Sequence, residues 1–129
     1  MKEITIIIIC IIIVIVGANF SLDYLSNTGK ALIDELNELK IEIEKAKNSE
    51  ENNAKELADN IYAKWEDLEK GWSIIVVHNE LDLIQLSLTG MKSYISEGKY
   101  SESIEELEKS TFLLEHIQDK EKLDLKNVF

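Results

Sequence analysis

The chain predicts an all-α fold: an N-terminal transmembrane helix continuing into a small antiparallel bundle of three or four helices. Three observations carry this. The stretch IIIICIIIVIVGANF, Ile6 to Phe20, holds no charge and sits at the front of an otherwise polar chain. There is no proline anywhere, so no point in the chain forbids a long helix. Beyond the apolar front, hydrophobic residues recur at alternating three- and four-residue steps, the spacing of a helix packing at a shallow angle on its neighbours.

The apolar front comes first. From Ile4 to Ala18 only Thr5 is polar, and Asn19 to Leu22 add no charge before Asp23. A helix over Ile4 to Leu22 spans roughly 28 Å at about 1.5 Å per residue, enough for a thin bilayer. The β-branched run would suit a strand by propensity, but it is too long for one and has no partner strands. A cleaved signal is the alternative, since Val16-Gly17-Ala18 has the small-x-small form of a processing site. A retained anchor over residues 1–22 is favoured because the heptad spacing starts at Leu22, close enough for one helix to run on into the domain at 23–129. Cys10, the only cysteine, lies within the run, so no intramolecular disulfide can form. Large residues precede it where lipoprotein processing needs small ones.

The rest of the first helix carries Leu22, Leu25, Gly29, Leu32, Leu36, Leu39, Ile43 and Ala46 on one seam. Lys47-Asn48-Ser49 interrupts it, with Ser49 expected to cap a second helix and Glu50 and Glu51 in its first turn. That helix has its seam at Ala54, Ala58, Ile61, Trp65, Leu68, Trp72 and Ile75. A new phase follows at Leu81, Ile84, Leu88, Met91 and Ile95. The change falls on His78-Asn79-Glu80, either as a break between helices or as a three-residue stammer with His78 turned into the seam. Ile74 to Val77, apolar on all sides, is expected to be the most deeply buried part. Glu97-Gly98-Lys99-Tyr100 reads as a connection with Gly98 in the left-handed conformation and Ser101 or Ser103 as the next cap. The last helix carries Ile104, Leu107, Thr111, Leu114 and Ile117, and Leu123, Leu125, Val128 and Phe129 are expected to lie on the bundle.

Composition narrows the function. A net charge of -11 repels nucleic acid, and the absence of arginine removes the fork that favours bidentate phosphate recognition. Lys2 and the amino terminus bias the N-terminus to the cytoplasm and the acidic mass to the outside. No phosphate loop, nucleophile elbow, HExxH spacing or Ca²⁺ loop is present, so no enzyme, cofactor or metal is expected.

The richest cluster is Trp65, Trp72, Ser73, His78, Asn79, Glu80 and Asp82. Two tryptophans seven apart on a seam read first as core. His78 and Asp82, four apart, could meet on a helix as one arm of a metal or pH-sensing site. The competing reading makes His78 and Asn79 satisfied buried groups that fix helix register. His116 stands alone near the last helix's end, and Glu80 and Asp82 point to different sides of a helix.

With its apolar front, its W-x6-WS-x4-H-x-E pattern over Trp65 to Glu80 and its ending Asn127-Val128-Phe129, the chain resembles a family of short membrane-anchored proteins of unknown function. These come from low-GC Gram-positive, largely spore-forming bacteria. The resemblance spans nearly the whole chain; members commonly end in Ile-Leu where this one has Val128-Phe129. It implies no reaction. It does imply a setting beside polytopic membrane proteins, so the expected partner is such a protein or a second copy. The two function classes are an extracytoplasmic protein-interaction or accessory module, and a small-ligand, metal or pH sensor built on the Trp65/Trp72/His78/Asp82 region. Cell-membrane residence is expected, or secretion after cleavage near Ala18.

Overall fold

In a computed structural model, which describes residues 1–128, the chain forms four helices and no strand among those residues: α1 Lys2–Lys47, α2 Ala54–Trp72, α3 His78–Ser96 and α4 Tyr100–Val128. Each packs on its sequence neighbours, and α4 closes the ring on α1. Short connections force each helix to reverse on the one before, giving an up-down-up-down bundle. The core is one continuous cluster, with Leu25, Leu32, Leu36, Leu39 and Ile43 of α1 facing Ile61, Trp65 and Trp72 of α2, Leu81 to Ile95 of α3, and Leu107, Leu114 and Ile117 of α4.

Helix α1 has 46 residues, about 69 Å at 1.5 Å per residue, and does two jobs. Its second half supplies the seam that the spacing predicts, buried from Leu25 to Ala46, with Leu22 half-buried. Its apolar front is open: Ile4, Ile6 to Ile9 and Ile11 to Val16 are all exposed. It holds the one helical stretch among the described residues that is long and apolar enough to cross a membrane.

The helix ends differ from the expected ones. Ser49 does not cap α2. It adopts a left-handed conformation, φ 59°, and closes α1: its N–H donates to the Ala46 carbonyl, and Glu50 N–H to Lys45. This is the paired bonding of a Schellman motif, with serine where glycine is usual. Glu50 and Glu51 therefore lie in the connection, and α2 starts at Ala54, whose N–H donates to Asn52 Oδ1 at 3.0 Å. Gly98, φ 74°, closes α3 by the same bonding, as expected. Ser101 and Ser103 are not caps either. Both lie inside α4, and Ser103 is buried with its hydroxyl donating back to the Tyr100 carbonyl at 2.6 Å. The buried line of α4 thus runs Ser103, Leu107, Ser110, Leu114 and Ile117, with Ile104 and Thr111 beside it.

At the phase change the chain breaks; there is no stammer. Helix α2 ends at Trp72, α3 begins at His78, and the turn between them is not the deepest part of the domain. Ile74 is 86% exposed and Val77 58%, whereas Val76 is buried and Ile75 half-buried. A five-residue turn at a bundle end has one inward side, so it can bury only part of an apolar run. In α4, Leu123 is exposed and does not lie on the core; the side chains of Leu125 and Val128, and Phe129, lie outside the described residues.

Candidate functional site

The bundle positions the sequence-predicted residues in two separate settings. Trp65 and Trp72 project into the core one above the other, fully buried, their rings edge to face with centroids 5.7 Å apart. Each indole N–H is paired, as burial of a donor requires. Trp65 Nε1 donates to Gln85 Oε1 at 2.8 Å, and Gln85 Nε2 donates to the Tyr62 hydroxyl. Trp72 Nε1 donates to Thr28 Oγ1 at 2.9 Å, and Thr28 donates to the Tyr24 carbonyl at 2.6 Å. Lys92 caps this set, its Nζ 4.8 Å from the Tyr62 ring centroid. Gln85 and Thr28 are the partners that spacing did not reveal, because each comes from a different helix.

The polar members lie outside. His78 and Asn79 are exposed on the first turn of α3, so they are not buried groups fixing helix register. Ser73, at the end of α2, donates to the Lys70 carbonyl at 2.8 Å and shares a shallow hollow with His78, Glu66, Lys70 and Gln85. Asp82 is exposed, and no ion pair joins it to His78 among the described residues. Glu80 turns the other way, to α4, where its Oε1 accepts from Lys120 Nζ at 2.8 Å. Its Oε2 is buried without a hydrogen-bond partner among the described residues. The hydrogen bond from Lys120 to Glu80 raises the ammonium's pKa, and burial, with Asp124 and Glu80 nearby, raises that of Glu121. The structure therefore brings the two tryptophans together and separates them from His78, Asn79, Glu80 and Asp82.

The described residues hold no group of three or more His, Cys, Asp or Glu able to bind a metal ion. His116 stacks on Phe112 on the outer side of α4, ring centroids 5.9 Å apart. Phe112 is exposed there, as are Leu83 and Leu86 on the adjoining α3. Exposed apolar side chains on two packed helices offer a protein surface more readily than a reaction site.

At the same end of α2 as Ser73, close approach is possible because Gly71 lacks a side chain: the Tyr24 hydroxyl occupies the space a Cβ would fill. Phe20, Ser21, Tyr24, Gly71, Ile74 and Ile75 line one hollow there. Gly29 does the same service between α1 and α4, where the Gln118 amide lies against it.

Among known proteins, the model of a family described as a domain of unknown function (DUF4363) matches residues 19–128. The match begins where the apolar front ends. No curated protein and no solved structure matches the chain.

Proposed function

The chain belongs to the DUF4363 family of domains of unknown function, and from that premise we propose that it is a single-pass membrane protein whose acidic bundle is a protein-interaction or accessory module outside the cytoplasm. One observation carries the anchor: a helix whose apolar stretch from Ile4 to Val16 is exposed runs without a break into the seam that begins at Leu25. An exposed apolar rod of that length is stable only when something other than water covers it, and a bilayer is the cover its length fits. Lys2 and the amino terminus orient it with the N-terminus inside and the charge of -11 outside. The W-x6-WS-x4-H-x-E pattern supports a Gram-positive, spore-forming source.

The interaction role draws its support from the outer side of α3 and α4, where Leu83, Leu86 and Phe112 are exposed. The partner we assign is a polytopic membrane protein or a second copy, with no catalytic step. The sensor reading gains no comparable support, because its aromatic and titratable members face apart.

The test is site-specific photo-crosslinking of the full-length protein in its native membrane, with the crosslinker at Phe112 or Leu86 and, as control, at Lys55. One dominant adduct from Phe112 and Leu86, absent from Lys55, is the expected result. Only scattered adducts, with a strictly monomeric protein after mild solubilisation, would remove the interaction reading. Mass spectrometry of the same sample reads the N-terminus: a chain starting near Asn19 would make the protein secreted.

A further inference from the structure

We propose that the α2–α3 turn is a second membrane contact, with Ile74 and Val77 lying in the interfacial layer of the same bilayer that α1 spans. The inference rests on the anchor reading above and adds to it how the bundle stands on the membrane.

The topology sets the location. Helix α1 leads away from the apolar front, α2 returns, and the turn at residues 73–77 therefore lies at the end of the bundle nearest that front. The shared hollow fixes the level: Ile74 and Ile75 line it with Phe20, Ser21 and Tyr24, which straddle the end of the uncharged stretch at Leu22. At this level Ile74 is 86% exposed, Phe20 72% and Val77 58%. Three large apolar side chains presented together at the foot of a membrane-anchored bundle meet lipid before they meet water.

A second observation concerns the backbone. A loop enters a bilayer's apolar region only if its polar groups are paired internally. The N–H groups of Ser73, Ile74, Ile75 and Val76 donate to the carbonyls of Glu69, Gly71, Trp72 and Trp72 at 2.8 to 3.3 Å, and the Val77 carbonyl accepts from Glu80 and Leu81. The turn thus pairs four of its five backbone N–H groups internally and leaves the carbonyls of residues 73–76 without a backbone donor among the described residues, which suits the hydrated interfacial layer and not the hydrocarbon core.

A third concerns charge. The end of α4 comes down the other side of α1, where Lys122 and Lys126 line a hollow with Ile15, Ala18, Asn19, Leu22, Asp23 and Ser26. Lysines at this depth reach the headgroup phosphates by extending their stems along the apolar surface. The carboxylate facing the same hollow is Asp23, just past the apolar end. Apolar tips on one side of α1 and lysines on the other would hold the bundle in one orientation instead of letting it swing on a single stalk.

The experiment uses the full chain carrying Cys10→Ser and one new cysteine labelled with an environment-sensitive fluorophore, in nanodiscs of phosphatidylcholine with a minority of phosphatidylglycerol. Labels go at Ile74, Val77, Ile15 and Ile41, all exposed sites whose substitution spares the core. Circular dichroism confirms that each is folded. The expected result is blue-shifted emission at Ile74 and Val77, quenched by lipids spin-labelled near the headgroup, with Ile15 quenched by lipids labelled deep in the chain and Ile41 unaffected. Quenching at Ile15 with water-like emission at Ile74 and Val77 would overturn the turn contact and leave the anchor standing. No quenching at Ile15 would remove the anchor itself, and the turn contact with it. Blue-shifted emission at Ile74 that no lipid label quenches would mean that protein covers the turn, which also overturns the proposal.

Discussion

Trp72 shows what a single residue can commit a bundle to. It is fully buried, meets Trp65 edge to face and takes the acceptor of its indole N–H, Thr28, from the helix that emerges from the apolar front. Trp72→Ala removes that volume and is expected to cost about 3–5 kcal/mol; a thermal or urea melt checks it. Thr28→Val keeps the volume but leaves the indole N–H unpaired, so a smaller loss of about 1–3 kcal/mol is expected in the same melt. A tryptophan pair that lined a ligand box would be lost with little change in either. Glu42 makes the contrasting case at the surface. The Asn53 backbone N–H bonded to its Oε2 at 3.0 Å, then Lys45 on its Oε1 at 3.1 Å, hold its carboxyl below the ordinary value of 4.5. A carboxyl lowered in the folded state contributes stability that is present above the ordinary value and is lost as pH falls through the lowered one. Glu42→Gln is therefore expected to be less stable than the parent at neutral pH, with the two curves converging in acid; melts across that range would show parallel curves if the bonds were idle.

Among the elements, the helix ends are where local chemistry and tertiary context part company. The seams of α1 and α3 can be read position by position from three- and four-residue steps, because burial on one face imposes that period whatever the neighbours are. Caps obey no such constraint. Ser49 precedes two acidic residues and so looks like an N-cap, yet the packed end of α1 takes it as the left-handed terminator. That conformation crowds any side chain, by about 1–2 kcal/mol. Ser49→Gly removes the crowding at some cost in chain entropy, and a net gain of about 0.5–1 kcal/mol is expected; an unchanged or lower melting temperature would mean that the serine is relaxed there. The α2–α3 turn is the other departure. An unbroken apolar run looks like core when only sequence is in view, but Ile74 and Val77 lie at an end of the bundle where nothing packs over them.

For the whole molecule, the division of α1 into an exposed apolar half and a buried seam means that the two halves are separable. Burial starts at Leu25, so removal of residues 1–20 leaves every core residue in place. The truncated chain is expected to stay helical and to melt cooperatively within a few degrees of the detergent-solubilised parent, as circular dichroism would read. A molten or aggregated product would mean that the anchor braces the bundle. The candidate site was legible only in part. The seven-residue spacing of Trp65 and Trp72 marked them as core. The four-residue spacing of His78 and Asp82 allowed a pair that the structure does not form, since both sit exposed at the start of α3 with no ion pair between them. Residue chemistry and spacing alone determined the all-α class, the single apolar front, the seams and the acidic surface, because hydrophobic period and charge are properties of the chain taken a few residues at a time. Only the tertiary structure decided which helix supplies Thr28 to Trp72 and Lys120 to Glu80, that the apolar turn is exposed, and that it lies beside Phe20. Those contacts join residues about 40 to 55 positions apart, and how far along one helix another begins is set by packing and connection length together, with no local signal to report it.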